Sequence, residues 1–191
     1  MSSFRRAIVI PGRNKGPYVP QLLLPMFAAI RRGADSMPVE WSDSESVDGL
    51  DESGVPSWVA ARVASVLAAR DSGSTVVIGK SLGTHAAAGA AEHSLPAIWV
   101  TPLLTNRYVI DALSRSAAPF LLVGGTADPH WDGSVARALT PHVLELPDAD
   151  HGLFVPGPLE LSARNLGHLA TASERFLDEV VWVARDEGTG G

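Results

Sequence analysis

Residues 76 to 84 read Val76-Val77-Ile78-Gly79-Lys80-Ser81-Leu82-Gly83-Thr84. An apolar run rich in β-branched side chains ends there in Gly-x-Ser-x-Gly, and an alanine-rich segment typical of a helix follows. A strand, a tight turn and a helix in that order can present a serine hydroxyl above the edge of a sheet. A Cβ atom at Gly79 or Gly83 would collide with the neighbouring backbone at such a turn. We therefore interpret Ser81 as a nucleophile; the alternative is a helix N-cap serine that only satisfies a backbone N–H.

The same stretch also ends like a phosphate-binding loop, with Gly79-Lys80-Ser81. That loop needs a further glycine five residues before Gly79, where this chain has Ser74. The residues between them, 75–78, form a β-branched strand pattern and not a flexible cradle for phosphate. The sequence therefore argues against nucleotide binding at this site.

Composition restricts the class of protein. The chain has 191 residues, 46% of them hydrophobic, which suits one compact domain with a substantial core. The net charge of −6 argues against general nucleic-acid binding, because such proteins present a basic face. The absence of cysteine excludes disulfides, thiolate zinc sites and cysteine catalysis. Apolar stretches are too short for a membrane span or a signal peptide, so we expect a cytoplasmic protein with no membrane partner.

Short apolar runs alternate with helical patterns along the chain. The expected strands cover residues 7–10, 38–41, 75–78, 97–101, 120–124 and 143–146. The expected helices cover residues 22–32, with Pro25 in the first turn, 57–70, begun at Pro56 or capped by Ser57, 82–92, 106–116, 134–139 and 162–184. Strands that alternate with helices predict a parallel sheet covered on both faces, which is an α/β fold of the three-layer α/β/α sandwich type.

We expect one domain over residues 1–191, with no linker and no repeat. Residues 42–54 form the one long loop, and they are acidic with no basic residue. We interpret this loop as a solvated segment, and a partner-docking surface is the alternative. The tail at residues 187–191 is expected to be disordered.

Two later strands are followed by residues that could activate Ser81. Asp128 follows the strand at 120–124, and His151 follows the strand at 143–146. Ligands bind beyond the carboxyl ends of the strands in open α/β sheets, so these side chains should meet at one rim. The chain order Ser, Asp, His is that of a hydrolase whose serine sits on a strand-to-helix turn.

Other roles remain open for residues near this rim. Asp128, which precedes a proline, could be an Asx-turn residue, and His151 could bond only a backbone carbonyl. The other candidate carboxylates and histidines are Asp132 and Asp148, which stay possible as acids, Asp150, which adjoins His151 and is a poor substitute, and His85 and His130, which we interpret as structural or rim residues.

With these residues the chain resembles a small member of the α/β-hydrolase superfamily. Residues 79–83 match the nucleophile elbow, Asp128 the acid loop, and His151-Gly152 the histidine loop, and the resemblance covers nearly the whole chain. The two-strand antiparallel hairpin that begins larger members has no counterpart, so the resemblance implies a minimal fold of six parallel strands in the order 2-1-3-4-5-6. The style is closest to compact serine hydrolases of the dienelactone-hydrolase or retinoblastoma-binding protein 9 type.

The resemblance also implies roles for the backbone around Ser81. The N–H of Leu82 would be one donor to an oxyanion, and the second would come from the loop after the first strand, from Arg13 or, as second choice, Asn14. That loop begins Pro-Gly here, where the family often has His-Gly. Lys80 takes the place of a histidine often found before the nucleophile. We expect its side chain to point away from the catalytic face and assign it no chemistry.

The region between the fourth strand and the next helix is too short for a lid. The pocket should therefore be shallow and open, with walls from Leu103, Leu104, Tyr108, Trp131, Leu153 and Phe154. These observations predict a serine hydrolase that cleaves a small ester or thioester through an acyl-enzyme, without metal or cofactor, as a monomer or homodimer. The alternatives are a non-catalytic binding or scaffold protein on the same fold, or a peptidase or acyltransferase with the same triad.

Overall fold

A computed structural model describes residues 4–13, 16–41, 47–51, 53–68 and 74–183. Its central feature is a six-stranded sheet in which every neighbouring pair of strands is parallel. The strands are β1 (Arg5–Ile10), β2 (Ala34–Pro38), β3 (Thr75–Lys80), β4 (Ala97–Val100), β5 (Phe120–Gly125) and β6 (Val143–Leu146). The order is β2-β1-β3-β4-β5-β6, which confirms the predicted α/β fold and its strand order.

Helices cover both faces of the sheet. They are α1 (Pro20–Ile30), α2 (Gly54–Ala68), α3 (Ala87–Glu92), α4 (Arg107–Ser114), α5 (Gly133–Leu139) and α6 (Leu159–Phe176). Alternate residues of a strand point to opposite faces, so Ile8 of β1 packs in the core with α2 to α5, whereas Val9 packs in the core with α1 and α6. Because all six strands are parallel, their carboxyl ends lie at one edge of the sheet, between the two hydrophobic cores, and we call this edge the rim.

Several elements begin or end at other residues than those predicted. β2 lies at Ala34–Pro38 and not at residues 38–41, because it is an edge strand whose exposed Asp35 and Ser36 give it no apolar signature. α1 begins at Pro20, which places Pro25 beyond its first turn. α2 begins at Gly54, before Pro56 and Ser57, where the Asp51 carboxylate accepts the Gly54 N–H at 2.9 Å.

Two other helices differ from their predictions in helix type as well as in their bounds. The helix predicted at residues 82–92 is a 3-10 helix over Ser81–Ala86 that continues as α3. The helix predicted at residues 162–184 begins at Leu159, ends at Phe176 and is followed by a π-helical turn over Leu177–Val181. The 3-10 helix begins at Ser81, directly after the last residue of β3.

Part of the acidic segment 42–54 lies outside the described residues, as does the tail at 187–191. The described part of that segment contains a short 3-10 helix over Val47–Gly49 and the start of α2. None of the helices in the described part of the chain is long and apolar enough to cross a membrane.

Candidate active site

Ser81 sits on a strained turn between β3 and the 3-10 helix. Its φ is +51°, in the left-handed region that non-glycine residues seldom adopt. A Cβ atom at Gly79 would lie 2.4 Å from the Trp99 ring, and one at Gly83 would lie 2.6 Å from the Ile10 carbonyl oxygen. Both glycines are therefore required by close approach. The predicted collision with backbone holds at Gly83, whereas at Gly79 the close neighbour is a side chain. The turn holds Ser81 at the carboxyl end of a central strand.

The N-cap interpretation of Ser81 does not describe its side chain. The residue at the N-cap position is Lys80, and no side chain caps this helix. The Ser81 hydroxyl oxygen instead lies 2.8 Å from Nε2 of His151, a residue 70 positions later in the chain. The Thr84 hydroxyl donates to the Ser81 carbonyl oxygen and so braces the backbone of the turn.

His151 in turn contacts Asp128. The distance from His151 Nδ1 to Asp128 Oδ2 is 2.7 Å, and the Asp128 side chain is fully buried whereas one-third of the His151 side chain is exposed. An ionised carboxylate can only accept hydrogen bonds, so Nδ1 carries the imidazole proton and Nε2 is left to accept from the serine hydroxyl. The structure thus brings together the three predicted catalytic side chains in the order Ser81, His151, Asp128.

Two effects compete at the Asp128 carboxyl. Burial opposes ionisation, but the hydrogen bonds from His151 and from the His130 N–H favour the carboxylate, and the pKa of Asp128 lies below its ordinary value. The His130 N–H donates to Asp128 Oδ1 at 2.9 Å, which is the Asx-turn contact considered from the sequence. Asp128 therefore makes the turn with one oxygen and orients His151 with the other.

The three other candidate aspartates have different contacts. Asp132 caps α5 by accepting the Ser134 and Val135 N–H groups at 2.9 and 3.0 Å. Asp148 has a φ of +57°, and its N–H donates to the Thr126 hydroxyl at 2.8 Å.

Asp150 accepts the N–H groups of Gly152 and Phe154 at 2.7 and 2.9 Å, so it shapes the loop that carries His151. None of these three carboxylates replaces Asp128 as the partner of the imidazole.

Lys80 has a part that the sequence analysis missed. Its ammonium donates to the His151 carbonyl oxygen at 3.1 Å and to the Thr101 hydroxyl at 3.1 Å. These bonds join the end of β3 to the loop that carries His151, a positioning contact that the expectation of no chemistry did not include. Contacts across 71 residues leave no signal in a local sequence pattern. Gln21 adds a second tie to the same loop, at the Gly152 carbonyl.

The loop after β1 lies against Ser81 from the other side. A Cβ atom built on Gly12 would be 3.4 Å from the Ser81 Cβ and 3.9 Å from its hydroxyl oxygen. The Trp41 Nε1–H donates to the Gly12 carbonyl oxygen at 3.1 Å. Carbonyl and N–H of one trans peptide point in opposite directions, so this bond fixes the direction of the Arg13 N–H. Asn14, the second choice for an oxyanion donor, lies outside the described residues.

A cavity of about 510 Å³ opens beside Ser81. Its lining residues are Arg13, Val55, Ser81, Leu82, His85, Leu103, Thr105, Asn106, Arg107 and His130. Of the six residues predicted as pocket walls, only Leu103 lines this cavity, which corrects that prediction. Leu104 and Leu153 are fully buried because each faces a hydrophobic core and not the rim.

The other three predicted wall residues also lie elsewhere. Tyr108 lines a second cavity of about 740 Å³ between α2, α3 and α4. The Trp131 ring covers Gly124 and donates from Nε1 to Glu145 at 2.7 Å. Phe154 is exposed on the histidine loop. A sequence shows that such residues follow a strand, but it does not show which of their side chains turn inward.

His85 is a wall residue of both cavities. Its side chain is buried, its Nδ1 has no hydrogen-bond partner, and its ring lies 5.8 Å from that of Tyr108. Burial, together with the nearby charge of Arg13, lowers the pKa of His85 to about 4. The imidazole is therefore neutral at physiological pH. Within the described residues, no group of three or more histidine or carboxylate side chains could hold a metal ion.

No protein-family model and no curated relative matches this sequence. Solved structures do resemble it. Est1E from Butyrivibrio proteoclasticus has 15% identity and a TM-score of 0.65 over 93% of this chain and 88% of its own. Dienelactone hydrolase from Anabaena variabilis has 17% identity and a TM-score of 0.66 over 94% and 88%.

A lidless α/β serine hydrolase from Xanthomonas campestris has 14% identity and a TM-score of 0.57 over 97% of this chain and 88% of its own. At these identities the likeness concerns the fold, and it extends over nearly the whole length of each chain. Together with the six parallel strands and their order, it shows that this chain has the α/β-hydrolase fold.

Proposed function

We propose that this protein is a serine hydrolase that cleaves a small ester or thioester through an acyl-enzyme on Ser81. One observation carries the proposal: Ser81 Oγ, His151 and Asp128 form a continuous chain of hydrogen bonds of 2.8 and 2.7 Å. A serine next to a base that a third group orients is the arrangement of an activated nucleophile. The similar folds of a dienelactone hydrolase and of a lidless α/β serine hydrolase support the same class of reaction.

The first half of the reaction forms the acyl-enzyme. Ser81 Oγ attacks the carbonyl carbon of the substrate while His151 Nε2 takes the hydroxyl proton, and the carbonyl π electrons move to the oxygen. The tetrahedral intermediate then expels the alcohol or thiol, which receives the proton from Nε2. Asp128 keeps the proton on Nδ1 and stabilises the imidazolium.

The second half returns the enzyme to its starting state. Water gives a proton to His151 Nε2 and attacks the acyl carbon, and Ser81 Oγ leaves with that proton. The oxyanion of both intermediates would be stabilised by the N–H of Leu82, at the start of the 3-10 helix, and by that of Arg13. The contact between Gly12 and Ser81 supports Arg13, because it brings this peptide next to the nucleophile.

The open site supports a small substrate. Only residues 101–106 connect β4 to α4, which leaves no room for a lid. Our proposal extends to a single domain over residues 1–191 that needs no metal or cofactor, since the three side chains complete the chemistry. Nucleic-acid and membrane partners have no part in it.

The test is labelling with a fluorophosphonate probe, read by intact mass. Wild-type protein should gain one adduct because Ser81 attacks the phosphorus centre. Ser81→Ala and His151→Ala should gain none, and Asp128→Asn should react slowly. Circular dichroism of each variant serves as the folding control.

The outcomes separate the proposal from its alternatives. A folded wild type that gains no adduct would refute the hydrolase and favour a binding or scaffold protein. Retained hydrolysis of p-nitrophenyl acetate by Ser81→Ala would also contradict it. If the wild type is labelled at Ser81, and in a separate assay its acetyl-enzyme formed from p-nitrophenyl acetate passes the acetyl group to an added amine in place of water, the protein is an acyltransferase.

A further inference from the structure

The cavity beside Ser81 has a charge opposite to that of the whole chain. The protein has a net charge of −6. The described residues that line this cavity nevertheless include Arg13 and Arg107, two histidines and no aspartate or glutamate. A concave surface of one sign concentrates ions of the other sign in its opening. The cavity is therefore built to attract anions in a protein that otherwise repels them.

The two arginines come after the strands on either side of β3. Arg13 follows β1, and Arg107 is the first residue of α4, which follows β4. In the sheet, β1 and β4 are the two neighbours of β3, the strand that ends at Ser81. The two arginines that line the cavity thus follow the strands on either side of the one that ends at Ser81.

Each arginine can act on a molecule in the cavity. The charge of Arg13 contributes to the lowered pKa of the buried His85, so its field reaches the cavity wall. Arg107 Nε lies 3.5 Å from the Asp111 carboxylate, and the Arg107 side chain is 91% exposed. An exposed pair of that length is weak and competes poorly with a ligand. His85 is neutral and adds no positive charge to this cavity, whereas the two arginines do.

We propose that the Ser81 site selects esters or thioesters that carry an anionic group, a carboxylate or a phosphate, which Arg13 and Arg107 bind. This inference rests on the proposed hydrolase function. Guanidinium groups bind both anions through paired N–H donors and keep their charge at every physiological pH. The anion can belong to the acyl part of the substrate or to its leaving group, and the experiment distinguishes these two sources.

The experiment uses two pairs of substrates that differ in charge. The acyl pair is p-nitrophenyl hemiadipate and p-nitrophenyl hexanoate. The leaving-group pair is para-acetoxybenzoate and its methyl ester. The wild type should show the higher kcat/KM for the anionic member of at least one pair, and added salt should reduce that preference because it screens the arginines. The pair that responds identifies the part of the substrate that carries the charge.

Variants of the arginines test the source of the preference. Arg107→Gln should reduce the anionic-to-neutral ratio of kcat/KM about tenfold, as expected when one charge-assisted hydrogen bond is lost. Arg107→Glu should invert the ratio, and Arg13→Gln should reduce it. Arg164→Gln is the matched control, because Arg164 lies on α6, exposed and paired with Glu160. It should leave the ratio unchanged.

The labelling experiment separates the failure of this inference from the failure of the function. If the wild type is labelled at Ser81 but prefers the neutral member of both pairs, the anionic substrate is refuted and the hydrolase stands. If the Arg107 and Arg13 variants keep the wild-type ratio of kcat/KM between anionic and neutral substrates, the arginine site is refuted. If the wild type is not labelled, the hydrolase fails and the inference fails with it.

Discussion

The two sides of Ser81 are held in different ways. On one side, the loops after β5 and β6 place Asp128 and His151 through many hydrogen bonds between side chains and backbone. On the other side, the loop after β1 lies against Ser81 at Gly12, and the Trp41 indole N–H donates to the Gly12 carbonyl oxygen. We call the side of Asp128 and His151 the base side, and the side of Gly12 the oxyanion side.

The difference follows from what each side contributes to the reaction. The base side must hold a rotatable imidazole within hydrogen-bond distance of the serine, so its loop needs ties that restrict the whole residue. Asp150 supplies two of these ties and Lys80 a third. In the proposed reaction the oxyanion side would contribute two backbone N–H groups, that of Leu82 at the start of the 3-10 helix and that of Arg13 in the loop after β1. The bond from Trp41 to the Gly12 carbonyl orients the second of these.

The largest effect should come from breaking the base side at Asp128. Asp128→Asn keeps the shape of the side chain but removes the charge and the preference for a proton on Nδ1. We expect kcat to fall on the order of 10³- to 10⁴-fold, because His151 then presents the wrong tautomer to Ser81. Steady-state hydrolysis of p-nitrophenyl acetate measures the loss.

The pH dependence of stability provides the control for that variant. Because the pKa of Asp128 is depressed below 3.8, its carboxylate stabilises the folded state above that pH, and this contribution disappears as the pH falls through the folded-state value. The free energy of unfolding of wild type and Asp128→Asn should therefore converge in acid. A gap that widens below pH 3.8 would contradict the assignment of Asp128 as an ionised group.

A smaller effect should come from releasing the histidine loop while the triad remains intact. Lys80→Met removes the donor to the His151 carbonyl and to Thr101. We expect kcat to fall by up to about 10²-fold with KM little changed, because a displaced imidazole transfers the proton less well but does not bind the substrate.

Lys80→Arg is the matched variant, since it keeps a charged donor at the same place, and it should recover part of kcat. The rate of fluorophosphonate labelling should follow kcat in both variants. Wild-type kcat in Lys80→Met would show that the ties to the histidine loop are dispensable.

The smallest effect should come from the oxyanion side. Trp41→Phe removes the N–H that holds the Gly12 carbonyl but keeps an aromatic ring beside Trp58, whose ring centroid lies 5.0 Å away. We expect kcat to fall roughly three- to tenfold, the value of one hydrogen bond. Affinity for a trifluoromethyl ketone, which forms an oxyanion on Ser81, should fall in proportion.

Trp58→Phe is the control, because it changes the same aromatic pair and leaves the Trp41 indole N–H in place. If it lowers kcat as much as Trp41→Phe does, packing and not the bond to Gly12 explains the effect. If Trp41→Phe lowers kcat more than Lys80→Met does, the contrast between the two sides is wrong.

Much of the fold and the triad could be predicted from local patterns. Gly79, Ser81 and Gly83 are recognisable because a tight turn between a strand and a helix restricts which residues fit. Asp128 and His151 were predicted because each follows an apolar strand, and parallel strands bring their carboxyl ends to one edge. The prediction for β2 is wrong in position, because an edge strand with exposed polar residues lacks the apolar run by which a strand is recognised in the sequence.

The walls of the site could not be predicted in the same way. Leu104 and Leu153 follow strands as Ser81, Asp128 and His151 do, but they turn into the core. The contacts of Lys80 and Trp41 join segments far apart in the chain. Such contacts depend on how loops fold over the rim, and a local pattern carries no information on that.

By itself the sequence determined the class of fold and identified Ser81, Asp128 and His151 as the side chains that should meet at one rim, because turn sterics and strand periodicity act between near neighbours. The order of the strands came from the resemblance to the α/β-hydrolases. Only the tertiary structure decided which residues line the cavity, that Arg13 and Arg107 flank Ser81, and that Lys80 joins the nucleophile strand to the histidine loop. Those features require segments from different strands to meet at the carboxyl rim of the sheet, and packing alone determines how they meet.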